Sequence, residues 1–217
     1  MRKMICILLA FALMLLCGCA GQTEPTQPPV QTEPNTTAAA TEPELNENAL
    51  SAEELAEFQA LFDNTEQQYL RTVTSCYDDP ARIDLYQMFY GGFGDENISE
   101  EEWKFLEGVW TESQLSWDVS RIPEEKMDEI LREYLGIGLD ETDCIGLDGF
   151  AYLESAGCYF HTSGDTNRIP IMIQAGSYTQ DGKAELVYDR EGELFVVTMV
   201  QVEGRWIVCK NLPLNNQ

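Results

Sequence analysis

The chain has 217 residues, 44% of them hydrophobic, and carries 38 acidic against 13 basic side chains for a formal net charge of −25. A balance this acidic excludes nucleic acid as a partner, since phosphates would be repelled and no basic stripe exists to release counterions. It also makes an anionic membrane surface unattractive unless something other than charge holds the protein there.

Arg2 and Lys3 form a short positive segment, and residues 4–16 are an unbroken apolar run. That run has the length of a signal-peptide core and falls short of the roughly 20 residues that cross a bilayer. It ends in Leu16-Cys17-Gly18-Cys19. This tetrad resembles the bacterial lipobox, in which an aliphatic residue and small residues precede a cysteine whose thiol takes up a diacylglyceryl group. Cys17 departs from the usual small occupant of its position, while Gly18 directly before Cys19 favours Cys19 as the acylated residue. The resemblance implies a signal peptide over residues 1–18, a lipid on Cys19 and a protein held at the outer face of the cytoplasmic membrane. Ordinary secretion with cleavage near Ala20 is the alternative. Cleavage after residue 18 removes two basic groups and no acidic one, leaving a net charge of −27.

Residues 20–48 are built mainly from Thr, Glu, Pro, Gln and Ala, without an aromatic residue, Lys or Arg; Thr-Glu-Pro recurs at 23, 32 and 41. Such a composition buries too little apolar surface to offset ordering entropy, so residues 19–48 read as the lipidated cysteine and a disordered spacer. Residues 49–217 then form a single domain, long enough for its own core.

The first half of that domain reads as helical. Ser51-Ala52-Glu53-Glu54 is a capping box ahead of Leu55, Phe58 and Phe62 at helical spacing. Asp79-Pro80 offers a second helix start, leading through Ile83, Leu85, Tyr86 and Phe89 to a stop at Gly91-Gly92. Ser99 and Glu102 repeat the capping box before Trp103 and Leu106, with Gly108 as terminator. Pro123 opens the clearest helix, whose apolar face is Met127, Ile130, Leu131, Tyr134 and Leu135 and whose end is Gly136. A short helix is expected over 146–155.

From Cys158 the period changes to two, with strands expected over 158–162, 169–178, 184–188, 193–202 and 205–210. Asp181-Gly182, Glu191-Gly192 and Glu203-Gly204 read as hairpin turns, which makes the order an antiparallel meander. Residues 194–202 are apolar on both faces, the mark of a central strand. The expected fold class is therefore α+β, N-terminal helices packed on a C-terminal curved antiparallel sheet of four to five strands. Helices followed by a meander ending in Gly204-Arg205-Trp206-Ile207-Val208 resemble the NTF2-like or cystatin-like cone. Residues 50–61, Tyr77-Asp78-Asp79-Pro80 with Ile83-Asp84-Leu85, and Tyr159 with Gly164-Asp165-Thr166-Asn167 are similar to features of uncharacterised lipoproteins of anaerobic gut Firmicutes, a group that brings no known activity with it.

Four cysteines, Cys76, Cys144, Cys158 and Cys209, lie in the domain without any Cys-x-x-Cys spacing. Buried free thiols are the default, and a bridge between Cys158 and Cys209 is the alternative. His161 is the only histidine, so a histidine-rich metal site and a Ser-His-Asp triad would both hang on one residue. It precedes a polar loop, and His161, Asp165, Asn167 and Arg168 could bind a small polar ligand. Turn-forming Gly, Asp, Thr and Asn explain the same loop without a ligand. The acidic clusters Asp95-Glu96 and Asp140-Glu141-Thr142-Asp143 lack EF-hand spacing; loop and cap roles are expected, and no metal or other cofactor. Tyr152, Tyr159, Tyr178, Tyr188 and the tryptophans could line a stacking groove, although such spacings more often mark core.

Three function classes follow. The leading one is a lipid-anchored, non-catalytic module that binds a small molecule or an envelope protein. The second is an NTF2-like enzyme with a pocket carboxylate or His161 as general base. A third is a structural or adhesion protein, signalled by an exposed apolar patch.

Overall fold

The computed structural model describes residues 48–163 and 169–214, and its helices start where short polar side chains can cap them. Helix α1 (Ala52–Asp63) opens on the expected capping box: the Glu54 N–H donates to Ser51 Oγ at 3.2 Å and the Ser51 N–H to Glu54 Oε2 at 2.8 Å. A short α2 (Tyr69–Thr72) follows. Residues 79–90 do not form one helix. A 3-10 turn (Pro80–Arg82) is capped by Asp79, and α3 (Leu85–Phe89) starts again at Asp84, whose Oδ1 accepts the Gln87 N–H at 3.0 Å. The carboxylate competes with the helical ladder for that amide and so ends one element and begins the next. Ser99 and Glu102 cap α4 (Glu100–Val109), which runs one residue past Gly108. Thr111 and Gln114 box the short α5 (Glu112–Leu115).

Helix α6 (Glu124–Leu135) buries the apolar face expected of it and ends on Gly136 in the left-handed conformation, φ 73°. Burying each such side chain contributes roughly 1.5–3 kcal/mol, and truncating the fully buried Leu131 to Ala would cost about 2–5 kcal/mol. Pro123 is the N-cap of α6 and not its first helical residue, because it also ends a strand.

That strand, β1 (Asp118–Pro123), carries only two apolar residues and no alternation over its length. It pairs antiparallel with β3 (Cys158–Ser163), from Asp118 opposite Ser163 to Pro123 opposite Cys158. The other side of β3 takes β2 (Ala151–Leu153). A helix over 146–155 is thus replaced by a 3-10 turn (Leu147–Gly149) and a strand. The resulting three-stranded sheet, ordered β1-β3-β2, is covered on both faces. Val119, Cys158 and Phe160 pack with Leu106 and the partly buried Phe105 and Trp110 of the α4–α5 layer, whereas Ile122 and Tyr159 belong to the main core. Period-two alternation on β3 sends its neighbours to opposite sides.

The second sheet is the expected meander, β4 (Met172–Tyr178), β5 (Ala184–Arg190), β6 (Glu193–Val202) and β7 (Arg205–Pro213), in that spatial order. Its tight hairpins use Glu191-Gly192 and Glu203-Gly204, all four at positive φ, the geometry that matches strand twist. Residues 195–199 of β6 are buried on both faces, as an interior strand requires, while Leu194 and Val202 at its ends are exposed. The strand at Cys158 is not a fifth member of this sheet. Residues 48–50 run beside β4 instead, with Leu50 donating to Gly176 O and Tyr178 to Asn48 O, both at 2.9 Å. The core lies between the β5–β7 face (Leu186, Tyr188, Phe195, Val197, Met199, Val208) and Phe58, Phe62, Met127, Ile130 and Leu131 of α1 and α6.

Candidate functional site

A buried amide joins the sheet to the helical half. Asn211 of β7 is fully buried; its Oδ1 accepts the Tyr188 hydroxyl at 2.9 Å, and its Nδ2 donates to Ser75 O at 2.8 Å and Val73 O at 3.4 Å. Backbone bonds between Tyr77 and Asn211, at 2.8 and 2.9 Å, lay the segment 73–77 along β7. On the same face of β5 as Tyr188, two residues on, Arg190 donates from Nη1 to Val73 O at 2.7 Å, and its guanidinium carbon sits 4.5 Å over the Phe195 ring. The Tyr188 and Phe195 rings stack beneath it, 5.4 Å apart.

An open cleft of about 630 Å³ lies against this joint, within the range of small-molecule sites. Segment 74–78 forms one side, Arg190 and Leu212 reach in from the sheet, and Arg82, Asp84, Gln87 and Ile145 come from the α3 region. Arg82 is paired with Asp78 at 2.9 Å, an exposed pair worth about 0–1 kcal/mol. Asp84 is held by Gln87, whose backbone N–H and side-chain amide donate to its two oxygens at 3.0 and 2.9 Å, and its own N–H donates to Ser75 Oγ at 3.2 Å. Arg190 has a different standing: its hydrogen bonds to described residues are those from Nη1 to Val73 O and, at 3.5 Å, Thr74 O, so Nε and Nη2 remain unengaged by them. Binding is what such an arrangement can do, since a planar fork fixed on one edge offers its other edge to an acceptor.

The chain matches no protein-family model, no curated protein and no solved structure.

Of the residues singled out in the sequence, His161 is buried, 1% exposed, in a box of aromatic rings: Tyr90 at 5.5 Å, Phe150 at 5.6 Å and Tyr86 at 6.2 Å between centroids. Neither ring nitrogen has a hydrogen-bond partner among the described residues. Burial pulls its pKa below the ordinary histidine value; the Thr162 backbone opposes this, though it lies outside hydrogen-bond geometry. Asp165, Asn167 and Arg168 lie outside the described residues, as does Cys19. Among the described residues no three His, Cys, Asp or Glu side chains converge as metal ligands.

The acidic clusters have structural work. Asp95 Oδ1 accepts the Asn97 N–H and its backbone pairs with Arg121, while Glu141 Oε2 accepts the Gly138 N–H, with Arg132 close to Asp128, Asp140 and Glu141. The four cysteines are free thiols; Cys158 is buried and Cys209 partly so, but Cys76 and Cys144 are exposed, against the expectation of burial for all four. Trp103 and Trp117 are likewise exposed, where core was expected, while Tyr188 is fully buried. The cleft was not visible in the sequence, although Arg190 is one of only 13 basic residues and stands at the foot of a Glu-Gly hairpin.

Proposed function

We propose that this chain is a lipid-anchored extracytoplasmic protein, acylated on Cys19 and held off the membrane by the spacer, whose domain binds a small polar ligand in the Arg190 cleft without carrying out chemistry on it. One observation carries the binding part: Arg190 is locked on one edge by backbone carbonyls and from below by Phe195, with its remaining donors unspent at the wall of a cleft. A long cation fixed in this way has lost its rotamer entropy before any ligand arrives, which lowers the cost of binding. The lipobox resemblance supports the anchor, and a net charge of −27 after cleavage makes a covalent lipid the means of holding such a chain at an anionic surface. The enzyme reading has less behind it, because His161 faces Tyr86, Tyr90 and Phe150 and, among the described residues, makes no hydrogen bond to a carboxylate that would orient it as a base.

Mass spectrometry of the native protein tests the anchor. An acylated N-terminus at Cys19, lost with release of the protein in Cys19→Ala, is the expected result; an uncut leader overturns it. Thermal-shift screening of polar metabolites tests the cleft, with stabilisation expected in the wild type and abolished by Gln87→Trp, which fills the space.

A further inference from the structure

We propose that the cleft takes a small zwitterion of the free amino acid class, its carboxylate on Arg190 and its ammonium group on Asp84. This rests on the ligand-binding reading above and adds the charge pattern of the ligand. The cleft contains four charged side chains, of which Arg82 and Asp78 neutralise one another at 2.9 Å. What remains is one cation and one anion, and neither has a protein counter-ion among the described residues. Among the described residues Arg190 hydrogen-bonds only the Val73 and Thr74 carbonyls. Among the described residues Asp84 accepts only from Gln87, through the backbone N–H and the side-chain amide.

Both groups are held on the same strip of backbone. Arg190 is bonded to Val73 and Thr74, and the Asp84 N–H to the hydroxyl of Ser75, while Asn211 clamps the Val73 and Ser75 carbonyls from the sheet. Gly146 closes on Asp84 from behind: at φ 77°, a Cβ there would lie 2.5 Å from Asp84 Oδ1 and 3.0 Å from the Tyr86 nitrogen, so the carboxylate has little room to swing back.

The chemistry of each group selects its half of the ligand. The Nε/Nη2 edge of a guanidinium matches a carboxylate in two parallel hydrogen bonds. A carboxylate has about four lone-pair sites; two on Asp84 are taken by Gln87, and the others suit an ammonium donor. Ile145 and Leu212 give the cleft an apolar portion for a side chain. A ligand of zero net charge also escapes the repulsion that a chain of net charge −25 imposes on anions, and a dianion such as phosphate would meet the carboxylates of Asp78 and Asp84.

Calorimetric titration of the detergent-solubilised full-length chain decides it, using L-amino acids, their carboxamides, their N-acetyl derivatives and neutral sugars as probes. At least one amino acid binds, and its carboxamide and N-acetyl forms each bind roughly tenfold more weakly, since each lacks one of the two charges. Arg190→Gln and Asp84→Asn produce matching losses, and the ligand analogues give the same answer on unaltered protein should either variant fold poorly. A sugar that binds, and whose binding Gln87→Trp removes, overturns the zwitterion while the binding reading stands. If no probe binds in a manner sensitive to Gln87→Trp, both are overturned.

Discussion

The Tyr188 hydroxyl donates to Asn211 Oδ1 at 2.9 Å, and neither residue is accessible to solvent. Through this bond and the amide's two donations to Val73 and Ser75, a neutral pair fixes the wall of the cleft to the sheet. Asn211→Ala strips the partner from two buried polar groups, the Tyr188 hydroxyl and the Ser75 carbonyl, while Arg190 still donates to Val73 O; it is expected to cost about 2–4 kcal/mol, more than Tyr188→Phe at about 1–2 kcal/mol. Urea midpoints measure both, and an Asn211→Ala protein as stable as wild type would refute the account of the joint.

Burial also pushes the Tyr188 phenol up to about 12. A tyrosine whose folded pKa exceeds its unfolded value of 10 contributes stability that is complete below pH 10 and is lost as pH rises toward 12, on the order of 3 kcal/mol in all. Tyr188→Phe should therefore flatten the alkaline arm of a stability-against-pH curve, although Tyr77, raised in the same way by burial, keeps part of it.

Glu102 joins α4 to β1, its Oε1 accepting from Arg121 Nε at 2.7 Å and its Oε2 from the Ser99 N–H at 2.7 Å. Burial alone would raise its pKa; hydrogen bonds from Arg121 and from the Ser99 backbone and hydroxyl outweigh it and hold the carboxyl below the ordinary value of 4.5. The pair's stability is present above pH 4.5 and disappears as pH falls through the lower folded value. Glu102→Gln should cost about 1–3 kcal/mol at pH 7, and its urea midpoint should change less than that of wild type between pH 5 and pH 3. Equal slopes would remove Glu102 from the acid limb.

Burial in its aromatic box lowers the pKa of His161, which makes protonation favour the unfolded chain. Stability it contributes above pH 6.5 is lost as pH falls through the folded value. Because both nitrogens lack partners among the described residues, His161→Phe is expected to lie within about 1 kcal/mol of wild type at pH 8 and to be less acid-sensitive between pH 7 and pH 5. A loss of several kcal/mol at pH 8 would mean that the imidazole holds a bond after all.

Thiol reactivity should sort the cysteines by burial. Cys76 and Cys144 are exposed and should alkylate first, Cys209 more slowly, and Cys158, its pKa raised chiefly by burial, only on unfolding. Peptide mapping after timed iodoacetamide treatment reads the order, and rapid labelling of Cys158 would contradict the packing of β3.

What the amino-acid sequence determined by itself was local. The capping boxes of Ser51 with Glu54 and Ser99 with Glu102, the apolar face of α6 with its Gly136 stop, and the Glu-Gly hairpins of the meander all depend on residues a few positions apart, and each takes the expected form. Only the tertiary structure decided the rest. Strands β1 and β2 exist because β3 offers its two edges to segments with no alternation of their own, and β3 thereby leaves the meander. The cleft depends on Asn211 and Arg190 reaching backbone carbonyls 138 and 117 positions away. Every residue carries such a carbonyl, so no side-chain pattern marks which of them a distant donor will meet.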